Sequence, residues 1–184
     1  MSDYLLSQNI ATEIVREPGG TDFSEQIRKI LLDNNNEIGF NEETLLFLSA
    51  RSNLVNQFIL PNLELGSVIL CDRFMDSTLA YQGYGRGLCK ELINQMNLFA
   101  VNNCLPSLTI IFDADPYLIL DRNANKELDR MEIEGIDFQK KIRNGYLNIA
   151  KTDKRYYVVD CNNRDINDIH FEVKKIVKKN ILEV

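Results

Sequence analysis

The chain has 184 residues with 45% hydrophobic and 26% charged positions, which excludes a disordered or fibrous protein and fits one domain with a substantial core. Its net charge of -6, with the basic residues scattered, excludes a broad field attractive to nucleic acid or anionic lipid. An anionic ligand must therefore be held by local arginines.

Ser2 to Gln8 reads as the last turns of a helix, and Ala11 to Val15 as a strand. Further strand-like runs at Val68 to Cys71, Thr109 to Ala114 and Tyr156 to Cys161 are short, apolar and β-branched, as buried parallel strands are. Between them, Asp22 or Ser24 caps a helix to about Leu32. Asn41 caps a long helix whose apolar residues recur three or four apart at Leu45, Leu48, Val55 and Ile59, with Pro61 kinking it or starting its last turn. Helices follow at Leu88 to Asn102, Tyr117 to Arg122, Ile136 to Ile149 and Asn167 to Lys179, with a charged loop over Asn123 to Glu134. Strands alternating with helices predict an α/β fold, a parallel sheet flanked by helices, in a single domain. No apolar run approaches the ~20 residues of a membrane span, and Met1, Ser2 and Asp3 lack the basic start of a signal peptide. Cys71, Cys89, Cys104 and Cys161 have no CxxC spacing. Cys71 and Cys161 sit in apolar runs, as reduced core thiols in a cytoplasmic protein do.

Ligands of such folds sit beyond the carboxyl ends of the strands, and the motifs cluster there. Arg16 to Thr21 (REPGGT) follows the first strand, with Pro18, Gly19 and Gly20 shaping a tight turn. It reads either as a plain strand-to-helix turn or as the edge of an anion site with Arg16 and Arg28 facing it. Phe47 and Arg51, four apart on the long helix, project from one face. They suit a flat heterocycle through stacking and paired hydrogen bonds, or else a core aromatic beside a solvated arginine. Asp72 and Arg73 end the second strand, where a carboxylate and a permanent cation can handle a metal-bound phosphate or form a structural ion pair. The segment from Asp72 to Gly87 then supplies Ser77, Thr78, Tyr81 and Gln82, polar enough to line a pocket. His170, among alternating charges, reads as an exposed bystander.

REPGGT, LLFLSAR (Leu45 to Arg51), DRF, STLAYQGYGRG and ELDRME (Glu127 to Glu132), in this order, resemble the bacterial thymidylate kinases over nearly the whole chain. The resemblance implies a P-loop nucleoside monophosphate kinase that uses ATP and Mg2+ to phosphorylate thymidine monophosphate (dTMP), acting as a homodimer without nucleic acid or membrane partners. It implies Phe47 as the base-stacking aromatic, Arg51 as the base-reading arginine, and Thr78 and Gln82 as polar contacts to the base. Glu17 and Arg28 would line the monophosphate site, Arg16 would assist there, and Arg73 would hold the acceptor phosphate. Asp72 would stand beside the magnesium and Tyr81 beside the sugar, disfavouring ribose. The charged loop resembles a lid over ATP, with Arg122 and Arg130 matching its catalytic arginines, although Asn123, Ala124 and Asn125 stand where relatives carry another arginine. No GxxxxGK[ST] occurs in the sequence. The resemblance therefore implies a first strand and P-loop upstream of Met1 in a longer protein. The alternative is a noncatalytic nucleotide-binding or dimerising remnant. A kinase for another monophosphate is the third reading.

Overall fold

A computed structural model describes residues 1–122 and 129–183, the side chains of Asp121 and Arg122 excepted. The expected charged loop is thus described only from Asp129 onward.

Helix α1 (Ser2–Ser7) leads into strand β1 (Thr12–Arg16), and α2 (Asp22–Leu32) follows the glycine turn. The cap of α2 is Thr21, whose hydroxyl accepts from the Ser24 amide; Asp22 and Ser24 lie inside the helix. The long helix α3 (Phe40–Leu54) starts after Gly39 with no side-chain cap, so Asn41 is not its cap. A π-helical turn over Val55–Ile59 carries it into α4 (Leu60–Glu64), where Pro61 sits in the first turn and needs no amide partner. Strand β2 (Val68–Asp72) is followed by α5 (Met75–Thr78) and a π-helical stretch over Leu79–Gly85, a segment to which the sequence alone assigned no element. Next come α6 (Lys90–Ala100), β3 (Thr109–Asp113), α7 (Pro116–Arg122), α8 (Ile136–Ile149), β4 (Tyr156–Asp160) and α9 (Ile166–Val177).

The pairing is all parallel but falls into two ladders, β1 with β2 in register Val15 to Cys71, and β3 with β4 in register Phe112 to Val159. No ladder among the described residues joins β2 to β3, the two strands between which the resemblance puts a further one. Because each ladder has only two strands, apolar side chains expected to be buried stay open, with Ile14 66% and Phe112 58% exposed. What joins the ladders is packing and one ionic cluster. Val68 and Leu70 of β2, Ile110 of β3 and Val159 of β4 share an apolar cluster with Leu5 of α1 and Val173 and Val177 of α9. The Asp76 carboxylate, just beyond β2, accepts from Arg155 Nη2 at 3.0 Å and from the Tyr156 hydroxyl at 2.7 Å, while Arg155 Nη1 donates to Thr109 at the start of β3.

On the other face of the β1–β2 ladder, Val15 packs on Leu54, Val55, Ile59, Met75 and Val101, so α3 and α6 lie over the strands. A third layer is built where α8 crosses the π-helical stretch, with Ala80, Met131, Phe138, Ile142 and Ile149 buried together. The close crossing depends on Gly145. A Cβ there would lie 2.9 Å from both Cβ and Cγ of Tyr84. Alanine favours a helix over glycine by up to ~1 kcal/mol, whereas overpacking costs about 1 to 3 kcal/mol. Gly145→Ala is therefore expected to lose about 1 kcal/mol of stability in urea unfolding, and a stabilised variant would show that the crossing has room to spare.

Candidate active site

Glu17, Arg28, Phe47, Arg51, Arg73, Thr78, Tyr81 and Gln82, drawn from five separate stretches of chain, line one cavity of about 230 Å³ with Ser77, Asp129, Met131, Glu132 and Gln139. The cavity opens beyond the carboxyl ends of β1 and β2, where a parallel sheet places its ligands.

The cavity rests on a buried ion pair. Arg51 is 1% exposed and all its nitrogens have acceptors. Nε donates to Glu17 Oε2 at 2.8 Å, Nη1 to Thr78 Oγ1 at 2.9 Å and to Asn97 Oδ1 at 2.6 Å, and Nη2 to Glu17 Oε2 at 2.7 Å and the Phe74 carbonyl at 3.3 Å. The fork expected to read a base is thus committed to protein partners from β1's end, α5 and α6. Glu17 is 5% exposed, and its Oε1 is buried without a partner among the described residues. Burial pushes its carboxyl above the ordinary carboxylate range, against the opposing pull of Arg51. Cys71, beneath the same pair, is likewise pushed up by burial and by the charge of Glu17, and it donates to the Arg73 carbonyl at 3.0 Å. A thiol held that way is not a nucleophile.

Arg73 occupies the left-handed region, with φ of 65°, an uncommon conformation for a residue with a Cβ. The strand's exit turns there, and the guanidinium comes to rest 5.2 Å from the centre of the Tyr81 ring, donating to its hydroxyl at 3.0 Å. Tyr81 is in turn wedged edge-on against Phe138 and Tyr146. The Tyr146 hydroxyl, 2.7 Å from Ser77 Oγ, is pushed up to about 12 by burial and stays protonated. Arg28 lines the cavity with Nη1 bound to the Pro18 carbonyl at 2.9 Å. Phe47, half-buried beside Leu46 against α2, offers it an aromatic face.

Three of the residues singled out from the sequence lie elsewhere. Arg16 is exposed and held by Glu25 at 2.9 Å, outside the cavity lining. Asp72 is exposed at the end of β2 and in no ion pair among the described residues. Arg130 is 8% exposed, with Nε on the Leu31 carbonyl at 2.8 Å and Nη2 on Glu43 at 2.6 Å. The side chain of Arg122 lies outside the described residues. His170 is half-buried rather than exposed, and its Nε2 has no partner. Sequence reasoning missed Asn97 and Glu43, both buried. Asn97 gave a signal: it lies four residues after Ile93 on the buried stripe of α6, where a lone polar side chain needs a partner.

The family model described as thymidylate kinase matches residues 1–173. The chain belongs to the thymidylate kinase family. The thymidylate kinase of Thermoanaerobacter sp. (strain X514) is 40% identical over 179 residues, covering 97% of this chain and 88% of that protein. That of Thermosipho africanus (strain TCF52B) is also 40% identical, over 98% of this chain and 90% of the relative. The crystal structure of thymidylate kinase from Ehrlichia chaffeensis superposes with a TM-score of 0.75 at 31% identity, over 96% of this chain and 85% of the other. The fold is therefore the α/β fold of that family, and the family is one of kinases.

Removing one member of a buried ion pair leaves the other charged and unpaired, a loss of about 3 to 5 kcal/mol. Arg51→Met is expected to lose stability on that scale, measured by urea unfolding. The loss should also acquire a pH dependence. Without Arg51, burial alone acts on Glu17, so its folded-state value rises further above the ordinary 4.5 of a free carboxyl. A carboxyl raised in the folded state binds more protons folded than unfolded, so stability is full below 4.5 and falls as pH rises through the folded value. The variant's deficit should thus be smaller near pH 5 than near pH 8, and a pH-independent deficit would show that Glu17 is not the group left behind.

Proposed function

We propose that the site transfers a phosphoryl group from ATP to dTMP, giving the diphosphate for dTTP synthesis. The observation that carries this reading is the single cavity uniting an aromatic face, Phe47, with a clamped cation, Arg73, and the amide and hydroxyl of Gln82 and Thr78. The base rests on Phe47 and meets Gln82 and Thr78. Arg73, fixed by Tyr81, takes the acceptor phosphate, with Arg28 beside it and Tyr81 against the sugar. Arg51 acts through its neighbours, holding Glu17 and Thr78 in place. Catalysis of this kind is positioning and charge neutralisation. Magnesium supplies charge neutralisation between donor and acceptor phosphates. The exposed carboxylate of Asp72 beside Arg73 fits an ion that keeps its waters and needs only one or two carboxylates.

The protein works as a homodimer in the cytoplasm on this reading. Large apolar side chains stand open on α2 (Phe23, Ile30), α3 (Leu45) and α6 (Leu92, Phe99), and the four cysteines are free thiols. A second reading is a noncatalytic nucleotide-binding or dimerising remnant of a thymidylate kinase, and it is carried by one observation: the 184-residue sequence contains no GxxxxGK[ST]. Such a loop presents several amides and a lysine to the donor phosphates, and losing even one preorganised donor costs about a hundred- to a thousandfold in rate.

Calorimetry and a transfer assay, on the 184-residue chain and on an N-terminally extended version, separate these readings. The chain is expected to bind dTMP and to show negligible ATP-dependent transfer. A version extended at its N-terminus by a strand and P-loop taken from a relative should transfer and melt higher. Robust turnover by the 184-residue chain, its intact mass confirmed, would mean that it holds its donor in another way, and no dTMP binding would overturn the assignment. In the same titrations, Tyr81→Ala should narrow the preference for dTMP over the ribonucleotide, and an unchanged ratio of affinities would remove Tyr81 from sugar selection.

A further inference from the structure

Glu43 is fully buried, 0% exposed, on the cavity side of α3 one turn before Phe47 and two before Arg51. Its carboxylate gathers three side chains. Oε1 accepts from Gln82 Nε2 at 2.8 Å and from Arg86 Nε at 3.3 Å, and Oε2 accepts from Arg86 Nη2 at 3.3 Å and Arg130 Nη2 at 2.6 Å. Arg86 also pairs with Glu134 at 2.5 Å and lies 4.6 Å from the ring centres of both Phe40 and Phe138. Two carboxylates and two guanidiniums make the cluster neutral, which is what allows a carboxylate to be buried so deeply.

An ionised carboxylate only accepts hydrogen bonds, so it dictates which end of a neighbouring amide faces it. Gln82 is 1% exposed and lines the cavity. Turning its amide over would set a carbonyl oxygen against a buried anion and leave Oε1 of Glu43 with Arg86 alone. The amide is therefore locked with Nε2 toward Glu43, and its Oε1 accepts no hydrogen bond among the described residues. An oxygen held that way accepts from a ligand N–H and repels a ligand lone pair.

We propose that Glu43 is a specificity-determining positioning residue. By fixing the amide of Gln82 it makes the base subsite select a ring that presents an N–H donor, as N3 of a 4-oxopyrimidine does, over one presenting an acceptor there, as a 4-aminopyrimidine does. The inference rests on the dTMP reading of the cavity. It goes beyond it in giving a residue outside the cavity lining the choice between bases. The two arginines on the same carboxylate hold it in place, so Arg130, in this arrangement, serves the base subsite.

The test is calorimetric titration of the wild-type chain and Glu43→Gln with dTMP and dCMP. The wild type should prefer dTMP. In Glu43→Gln the new side chain can donate as well as accept, the Gln82 amide can turn, and the preference should fall at least about tenfold, chiefly through tighter dCMP binding. A general loss of structure would weaken both nucleotides together and leave the ratio in place, and an unchanged ratio overturns the proposal. Absence of dTMP binding by the wild type would instead overturn the reading of the cavity, and this assignment with it. Should circular dichroism show Glu43→Gln unfolded, NMR on the wild-type chain decides. On adding dTMP the Gln82 side-chain carbonyl carbon should shift while its Nε2 protons hold their Glu43-bonded position, and a dTMP methylated at N3 should leave that carbon unmoved. A shift with the methylated nucleotide, or none with dTMP, overturns the proposal.

Discussion

A guanidinium taken out of water must find acceptors for its N–H donors, and Arg51 finds four on four residues of the chain, one of them, Glu17 Oε2, accepting twice. Glu17 comes from the turn after β1, Phe74 and Thr78 from the turn and helix after β2, and Asn97 from α6. Each partner is fixed because the arginine is fixed, and the arginine cannot leave without stranding the Glu17 carboxylate in a buried place. The cavity wall is therefore held by a constraint of charge and hydrogen bonding, to which apolar packing of Leu54 and Val55 one turn further along α3 adds rigidity. A family arginine that reads as a ligand contact in the sequence is here the post on which the contacts stand.

Glu43 extends the same logic one turn earlier in the helix. The side of α3 that faces the cavity carries Glu43, Phe47 and Arg51 at four-residue spacing, so one helix delivers a buried anion, an aromatic face and a buried cation in line. The described part of the charged loop returns to this line, with Arg130 on Glu43 and Met131 in the cavity wall. The cavity wall and the described end of the loop are thereby parts of one electrostatic unit. The two ladders of the sheet lack such a unit across their whole length. They are joined by the apolar contacts around α9 and by the Asp76, Arg155 and Tyr156 cluster at one end.

Much of this was legible in the sequence, because apolar runs of the right length specify strands wherever they pair. All four strands lie within one residue of where the β-branched runs put them, and α8 spans the expected residues. Nine of the candidate pocket residues read from the sequence, Ser77 among them, do meet in one cavity. The rest was hidden for identifiable reasons. The periodicity of α3 pointed to Leu45, which is 58% exposed, while the buried face is polar at Glu43, Thr44 and Arg51; hydrophobic spacing cannot report a face whose burial is compensated by hydrogen bonds. The caps at Thr21 and Gly39 depend on backbone torsions at single residues, which neighbouring Asp22, Ser24 and Asn41 imitate in composition. Arg130 was legible as a loop arginine but its burial was not, since its partners Leu31 and Glu43 lie about ninety residues earlier in the chain.

The central claim is that Glu17 and Arg51 stabilise the acceptor wall as a pair. A double-mutant cycle with Glu17→Gln, Arg51→Met and the two together, read by urea unfolding at pH 7, measures their coupling directly. A favourable coupling of at least about 2 kcal/mol is expected, because each single change leaves a buried group without its partner and the double change removes both. Additive losses, with a coupling near zero, would contradict it.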